Sequence, residues 1–323
     1  MTAPGNAADG GGVPGGRHEG EGATRRPPGR AEISAMLNEH GISPSRSLGQ
    51  NFVADPSLVE KVVRLARVGR GDRVVEIGAG LGSLTVALAG TGAQVLALEI
   101  DRRLDPILRG IVEPLGVRVL LGDAMSCDWA DVLGPLDDGR DWVLVANLPY
   151  NIATPLVADL LAGVPSIARM VVMVQREVAE RLVAGPGSRT YGAVSVRVAY
   201  FAEARIVGRV SRDVFVPRPN VESALVELVR RDVPAVPPEV ASFAEIDALV
   251  RAGFSGRRKM LRRSLSEIVS KEAFAAAGVD SACRPEELGV VTWGKLAQCK
   301  RLIETQDALK QGPAPPPSGH RRS

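Results

Sequence analysis

The sequence predicts an α/β protein: a doubly wound sheet, then a small all-α C-terminal domain. Three observations carry this expectation. Apolar runs of five or six residues alternate with helical patterns between residues 57 and 183, the order from which parallel sheets are built. A glycine cluster, Gly78-Ala79-Gly80-Leu81-Gly82, follows the first run. Beyond the prolines Pro234, Pro237 and Pro238 the pattern is purely helical to about Ala308.

The elements follow in order. Residues 1–30 hold nine glycines and four prolines, too little apolar material to offset ordering entropy, so this tail is expected to be disordered. The body is assigned to residues 31–235. Its strands are expected at Arg73–Ile77, Gln94–Glu99, Val117–Leu121, Trp142–Ala146 and Met170–Val174. Most lack polar–apolar alternation, as strands covered on both faces do. Helices are expected at Ser57–Arg67, Leu81–Ala89, Arg102–Arg109, Pro155–Ala162, Arg176–Val183 and Gly192–Ala202. Ala204–Val210 and Ser223–Val229 are expected to add an antiparallel ribbon at the sheet edge. Residues 236–310 form the helical domain, and 311–323, with Pro313, Pro315, Pro316 and Pro317, a second disordered tail.

Composition excludes several chemistries. The 323 residues are 45% hydrophobic and 24% charged, with a net charge of +3, ordinary for a chain with a real core. Three scattered cysteines (Cys127, Cys283, Cys299) suit neither a disulfide framework nor a zinc cluster. Reduced thiols and a cytoplasmic location are expected. The only histidines are His18, His40 and His320, so neither an imidazole base nor a metal is expected. No apolar run approaches the ~18 residues of a membrane span, and no secretory apolar region opens the chain.

The glycine cluster spaces as G-x-G-x-G, with Ser83 where the dinucleotide fingerprint places its third glycine. Acids follow each of the first three strands' patterns: Glu76 just before the loop, Glu99 ending strand two, and Asp123 with Ala124 after strand three. Glu99 suits ribose hydroxyls, and Asp123 suits an adenine amino group or a helix N-cap. The set fits S-adenosylmethionine better than NAD.

Strand four ends in Asn147-Leu148-Pro149-Tyr150, at the sheet end where substrate should meet cofactor. Pro149 disfavours the helical basin for Leu148, holding its carbonyl in an extended turn. That carbonyl and the Asn147 side-chain oxygen make two acceptors suited to a planar –NH2 group. Tyr150 offers a face for the base that carries the amine. The amine can lose its proton after transfer, so no histidine is needed.

Further segments lie upstream and downstream in matching order: Ser47-Leu48-Gly49-Gln50-Asn51-Phe52, then Asp213 to Ser223 (DVFVPRPNVES), then Phe254-Ser255-Gly256-Arg257-Arg258-Lys259, then Arg284-Pro285-Glu286-Glu287-Leu288. With the glycine loop and Asn-Leu-Pro-Tyr, the chain resembles the small-subunit (16S) ribosomal RNA adenine N6-dimethyltransferases over roughly residues 33–305. The resemblance implies a Rossmann-like methyltransferase sheet and cofactor contacts drawn from Asn51, Val53, Gly78, Gly80, Glu99, Asp123, Ala124 and Asn147. It implies catalysis at Asn147, Leu148, Pro149 and Tyr150, with Phe215 as a second aromatic wall. Its substrate would be two adjacent adenosines in the 3′-terminal hairpin loop of 16S rRNA, methylated late in small-subunit assembly by a monomer. The sequence departs from the family with Val53 for a common leucine, with Arg218 inside a usual proline run, and with Gly289 after Glu-Glu-Leu.

Between Val250 and Arg301 eleven Lys or Arg oppose five acids, although the whole chain is only +3. Arg257, Arg258, Lys259, Arg262 and Arg263 are expected to wrap one helix anchored by Met260, Leu261 and Leu265 and to grip RNA phosphates. Arg189 and Arg218 are further RNA-contact candidates. Two alternatives remain: a large-subunit rRNA adenine methylase of the macrolide-resistance type, and an assembly factor that binds without catalysis.

Overall fold

The computed structural model describes residues 26–134, 141–256 and 258–311. Among these, the strands in chain order are β1 (Phe52–Val53), β2 (Arg73–Ile77), β3 (Gln94–Glu99), β4 (Arg118–Leu121), β5 (Trp142–Asn147), β6 (Ile167–Gln175), β7 (Ala202–Val210), β8 (Phe215–Val216) and β9 (Ser223–Arg230). Seven form one sheet in the order β4-β3-β2-β5-β6-β9-β7, and β1 pairs with β8 apart from it. The run β4 to β6 is parallel, whereas β9 is antiparallel to both β6 and β7. The order turns at β2, between β3 and β5, which opens a crevice at the carboxyl ends of the strands.

Successive residues of each strand enter opposite apolar layers. Val75, Ile77, Leu96, Leu98, Leu144 and Val172 pack with helices Ala153–Gly163, Arg176–Leu182 and Ala193–Phe201. Val74, Val95, Ala97, Val145 and Val171 pack with helices Pro56–Ala66, Ser83–Ala89 and Asp105–Val112. Both faces are covered, so the strands read as unbroken apolar runs. Local signals set the helix starts. Asp55 caps Pro56–Ala66 by accepting from the Ser57 N–H at 2.9 Å, with proline at the first helical turn.

The expected ribbon stands at the edge as β9 and β7. Four short pieces lay outside the sequence expectation. β1 and β8, two residues each, are too short to show a period. Helix Trp129–Leu133 spans little more than one turn. Helix Arg30–Glu39 begins just inside the segment assigned to the tail, and it buries Ile33 and Leu37 against Phe52, Leu81 and Leu104. The Gly29 N–H donates to Glu32 Oε2 at 2.8 Å and fixes its start. Most of the expected N-terminal tail and the expected tail from 312 onward lie outside the described residues, with His18 and His320.

After the prolines come helices Phe243–Ser255, Leu261–Ser264, Lys271–Ala277 and Val290–Gln311. Ile246, Leu249, Leu265, Phe274, Trp293 and Leu296 share one apolar cluster with Tyr191, Val196 and Tyr200 from the preceding segment. Arg197 joins Asp247 across this contact through two bonds of 2.5 and 2.9 Å. The basic run does not wrap one helix. Phe243–Ser255 ends before it, Arg258 and Lys259 lie in a turn, and Arg262 and Arg263 sit on the four-residue helix Leu261–Ser264. The cause is a distant loop: the N–H groups of Leu261 and Arg262 donate to the Cys283 and Ser281 carbonyls at 2.9 and 2.8 Å, so no helix can run through them. Leu261 and Leu265 anchor this piece as expected, but Met260 is 40% exposed.

Candidate active site

The glycine loop crosses the carboxyl end of β2. The N–H groups of Gly78 and Ala79 both donate to the Leu98 carbonyl, at 2.8 and 3.2 Å, which ties the loop to β3. Gly80 has φ of +59°, and a Cβ there would stand 3.0 Å from the Phe52 ring. Glycine is therefore required twice over, by conformation and by space. Glu99 closes β3 and is 4% exposed. Its Oε2 accepts from Gly80 N–H at 2.7 Å and its Oε1 from Ile100 and Asp101 N–H at 2.9 and 2.8 Å. Burial nevertheless raises this carboxyl above its ordinary range. Oε2 has one donor and room for another.

Glu76, the penultimate residue of β2, is 2% exposed, and its Oε2 has no hydrogen-bond partner. Burial pushes its carboxyl up to about 8, with the charge of Glu99 adding to the rise. A buried, unpartnered carboxyl oxygen beside a glycine loop is a candidate receptor for a cationic group.

At the end of β5, the Asn147 side-chain amide donates from Nδ2 to the Asn51 carbonyl at 2.9 Å. That bond assigns the amide orientation and leaves Oδ1 without a donor among the described residues. The Leu148 N–H donates to the Met173 carbonyl at 3.0 Å, and the Pro149 carbonyl accepts from Ile152 and Ala153. Tyr150 is half-buried, with its hydroxyl 2.9 Å from Ser223 Oγ. Burial raises its phenol above the usual value.

A strap over residues 43–51 covers the crevice. Gln50 accepts from Ser45 N–H at 2.7 Å and donates to Asp101 Oδ2 at 2.8 Å. Arg103 grips the same carboxylate at 2.6 and 2.9 Å, and together these partners hold Asp101 down to about 2. Gly49, at φ of +65°, lies against Pro149 and Tyr150, where a Cβ would approach Asn151 Oδ1 to 3.1 Å.

One cleft unites these pieces. Of the expected cofactor residues, Asn51, Val53, Gly78, Gly80, Glu99 and Asn147 line it, as do Leu148, Pro149 and Tyr150. Asp123 and Ala124 do not. Asp123 is exposed at the neighbouring strand end, where its Oδ1 accepts from Met125 N–H at 2.9 Å, so it caps its own turn. Phe215 stands elsewhere than expected: it is 0% exposed, set in the apolar layer beside Val53, Met173 and Leu225. Pairing of β8 with β1 draws its ring inward, so it is not a second wall opposite Tyr150 in this conformation. Gln50, Glu76 and Ile100 also line the cleft. Glu76 was readable as an acid before the loop, whereas Ile100, 42% exposed, carried no sequence signal.

The candidate RNA contacts are dispersed. Arg258, Lys259, Arg262 and Arg263 are exposed together, and Arg257 lies outside the described residues. Arg189 borders a polar basin with Arg176, Arg181 and Glu222. Arg218 pairs with Asp213 of its own loop at 2.7 Å. Arg301, counted among the cations of the basic stretch, is spent internally on Glu245 at 3.1 Å and on the Val240 carbonyl at 2.9 Å. Among the described residues, no group of His, Cys, Asp and Glu could hold a metal, and no helix is long and apolar enough to cross a membrane.

Comparison with known proteins gives concordant matches. The profile described as "Ribosomal RNA adenine dimethylase" matches residues 43–297. The "Ribosomal RNA small subunit methyltransferase A" of Thermobifida fusca is 43% identical over 279 residues, 83% of this chain and 94% of that protein. The protein of the same name in Bifidobacterium longum is 42% identical, covering 84% of this chain and 92% of its own. Among solved structures, a dimethyladenosine transferase from Plasmodium falciparum superposes with a TM-score of 0.64 at 25% identity, covering 78% of this chain and 96% of that one. The 23S rRNA methyltransferase ErmE gives 0.59 at 25% identity, with 78% and 100% covered.

Proposed function

The chain belongs to the ribosomal RNA adenine dimethylase family, and on that premise we propose that it dimethylates N6 of two adjacent adenosines in the 3′-terminal hairpin loop of small-subunit (16S) rRNA. The reading includes a cytoplasmic monomer acting on the assembling small subunit.

The cleft fits S-adenosylmethionine. Glu76 presents an unpartnered buried oxygen to an ammonium, Glu99 Oε2 can accept from a ribose hydroxyl, and the exposed Ile100 gives an apolar face to a purine. Asn51, Val53, Gly78 and Gly80 complete the cradle. When bound, that cofactor supplies a methyl group on a cationic sulfur, an electrophile that needs no metal.

The protein's own part is positioning and electrostatics. The observation that carries the reading is the Asn147 amide, which lines the cleft and whose nitrogen is tied to the Asn51 carbonyl, leaving its oxygen as an acceptor. Asn147 Oδ1 and the Leu148 carbonyl accept the two N–H bonds of an adenine amine, which holds the nitrogen lone pair toward the methyl. Pro149 keeps the turn extended, and Tyr150 stacks on the base. Phe215 joins the pocket only in a conformation that exposes its ring. Arg189, Arg218, Arg257, Arg258, Lys259, Arg262 and Arg263 are assigned to RNA backbone.

The test is transfer of radiolabelled methyl groups to under-methylated small subunits and, in parallel, to large-subunit RNA. Label is expected in dimethyladenosine of the small subunit. Label confined to large-subunit RNA would overturn the assignment in favour of the ErmE-like target.

A further inference from the structure

Away from the cleft, on the sheet face that carries helix Pro56–Ala66, cations gather round one buried carboxylate. Glu227 on β9 is 3% exposed. Its Oε1 accepts from Arg67 Nη2 at 2.5 Å and its Oε2 from Arg205 Nε at 2.7 Å. Arg205 is the register partner of Glu227 on β7. Arg169, on β6, donates from Nη2 to the Arg67 carbonyl at 3.4 Å. Lys61 reaches across Gly208 of β7, where a Cβ would sit 2.9 Å from its Nζ. The acids of this face do not balance them. Asp72 stands near Arg169, while Glu203 is paired instead with Arg231 at 3.0 Å.

A buried carboxylate is satisfied by one well-placed guanidinium; here two share it and two more cations crowd alongside. A surface excess of like charge attracts a polyanion. The guanidinium groups are not hidden: the Arg67 side chain is 62% exposed and that of Arg205 68%. Arg67 also stands where a glycine would be easier. It follows the last turn of its helix at φ of +47°, and among the described residues it alone has a left-handed backbone without being glycine. Arginine stands there despite the strain, and a carboxylate locks its outer edge in place. Arg205 and the Lys61 site at Gly208 are three residues apart, about 10 Å of strand. That spread suits a chain of phosphates better than a single one.

We propose that Lys61, Arg67, Arg169 and Arg205 form a second RNA-contact surface, which binds phosphodiester backbone of the substrate outside the catalytic cleft. This rests on the reading that the substrate is ribosomal RNA. It adds a grip on the cofactor-binding body to the basic turn of the helical region. Contacts of this kind set position and affinity and read no sequence.

The test compares the full chain with the variant K61Q/R67G/R169Q. Glycine accepts the backbone at position 67, and Arg205 stays to pair with Glu227, so the fold is retained; a urea midpoint checks this. Affinity for a 3′-domain fragment of small-subunit RNA is followed against salt. Each lost phosphate contact removes roughly 0.7–0.9 from the slope of log K on log salt. The variant is expected to bind about tenfold more weakly, with a slope shallower by about 2. Its turnover on a short hairpin at saturating concentration should stay unchanged. The charge-preserving K61R/R67K/R169K should keep the wild-type slope. An unchanged slope in the neutral variant overturns the proposal, and so does an equal loss in the charge-preserving one. A wild type that transfers no methyl group, with the slope difference intact, removes the catalytic reading and leaves this surface standing.

Discussion

At single side chains, Asn147 and Glu76 put the proposed division of work in the cleft to the test. Asn147→Ala removes one acceptor and the tie to Asn51, so transfer should fall by roughly 10²–10³, the cost of losing one preorganised polar partner. RNA binding by filter retention should stay nearly unchanged. Equal loss of both would make the residue a structural one. Glu76 titrates in the other direction from most carboxylates. Its folded value is about 8 against an ordinary 4.5, so between these the unfolded chain holds fewer protons than the native one. Stability of the ligand-free protein should therefore fall as pH rises from about 5 to 8, by on the order of 3–5 kcal/mol. Glu76→Gln should flatten that slope in thermal scans. Asn147 and Tyr150 were legible in the sequence because a proline turn after an apolar strand has few uses. Phe215 misled, since the same motif that identifies the ring says nothing about whether it faces the cleft or the core.

Among the elements, those with a clear period were readable and those without were not. β2, β3, β5 and β6 sit where unbroken apolar runs placed them, because two-sided burial imposes that pattern. The two-residue β1 and β8 owe their existence to each other, a long-range pairing that no local window contains. The basic turn at Arg258–Lys259 was misread for a related reason: charge spacing suggested a helix, but hydrogen bonds from a loop over twenty residues away interrupt it. The glycine loop is where element and site meet. Gly80→Ala forces a β-carbon into φ of +59° and against the Phe52 ring at 3.0 Å. The expected cost is about 1–3 kcal/mol in urea unfolding. Calorimetric titration should show cofactor affinity falling alongside, because Phe52 leads directly out of the strap.

On the scale of the whole molecule, the prolines at 234–238 mark a change of pattern but not a gap in packing. The helical region closes on Tyr191, Val196 and Tyr200 through a common apolar cluster. Gly187 N–H reaches the Glu286 carbonyl at 2.7 Å, and the Tyr191 hydroxyl reaches that of Leu288 at 2.9 Å. Composition could announce the change at the prolines, but packing across it depends on side chains fifty residues apart. Asp247→Ala would leave Arg197, whose side chain is only 18% exposed, with Asp159 at 3.9 Å as its remaining carboxylate partner, at a cost of about 3 kcal/mol. Denaturant unfolding should lose cooperativity as the helical region opens first, seen as a lower m-value.

That continuous contact also limits how the chain can be recombined. A helical end borrowed from a relative and spliced at the prolines would arrive without its own version of residues 185–201, and it would meet Tyr191 and Tyr200 of this chain with mismatched packing. Exchanges that carry residues 185–201 along with the helices should fold, whereas those cut at the prolines should aggregate. The two halves are thus packed as one unit, which holds the basic turn at a set distance from Asn147.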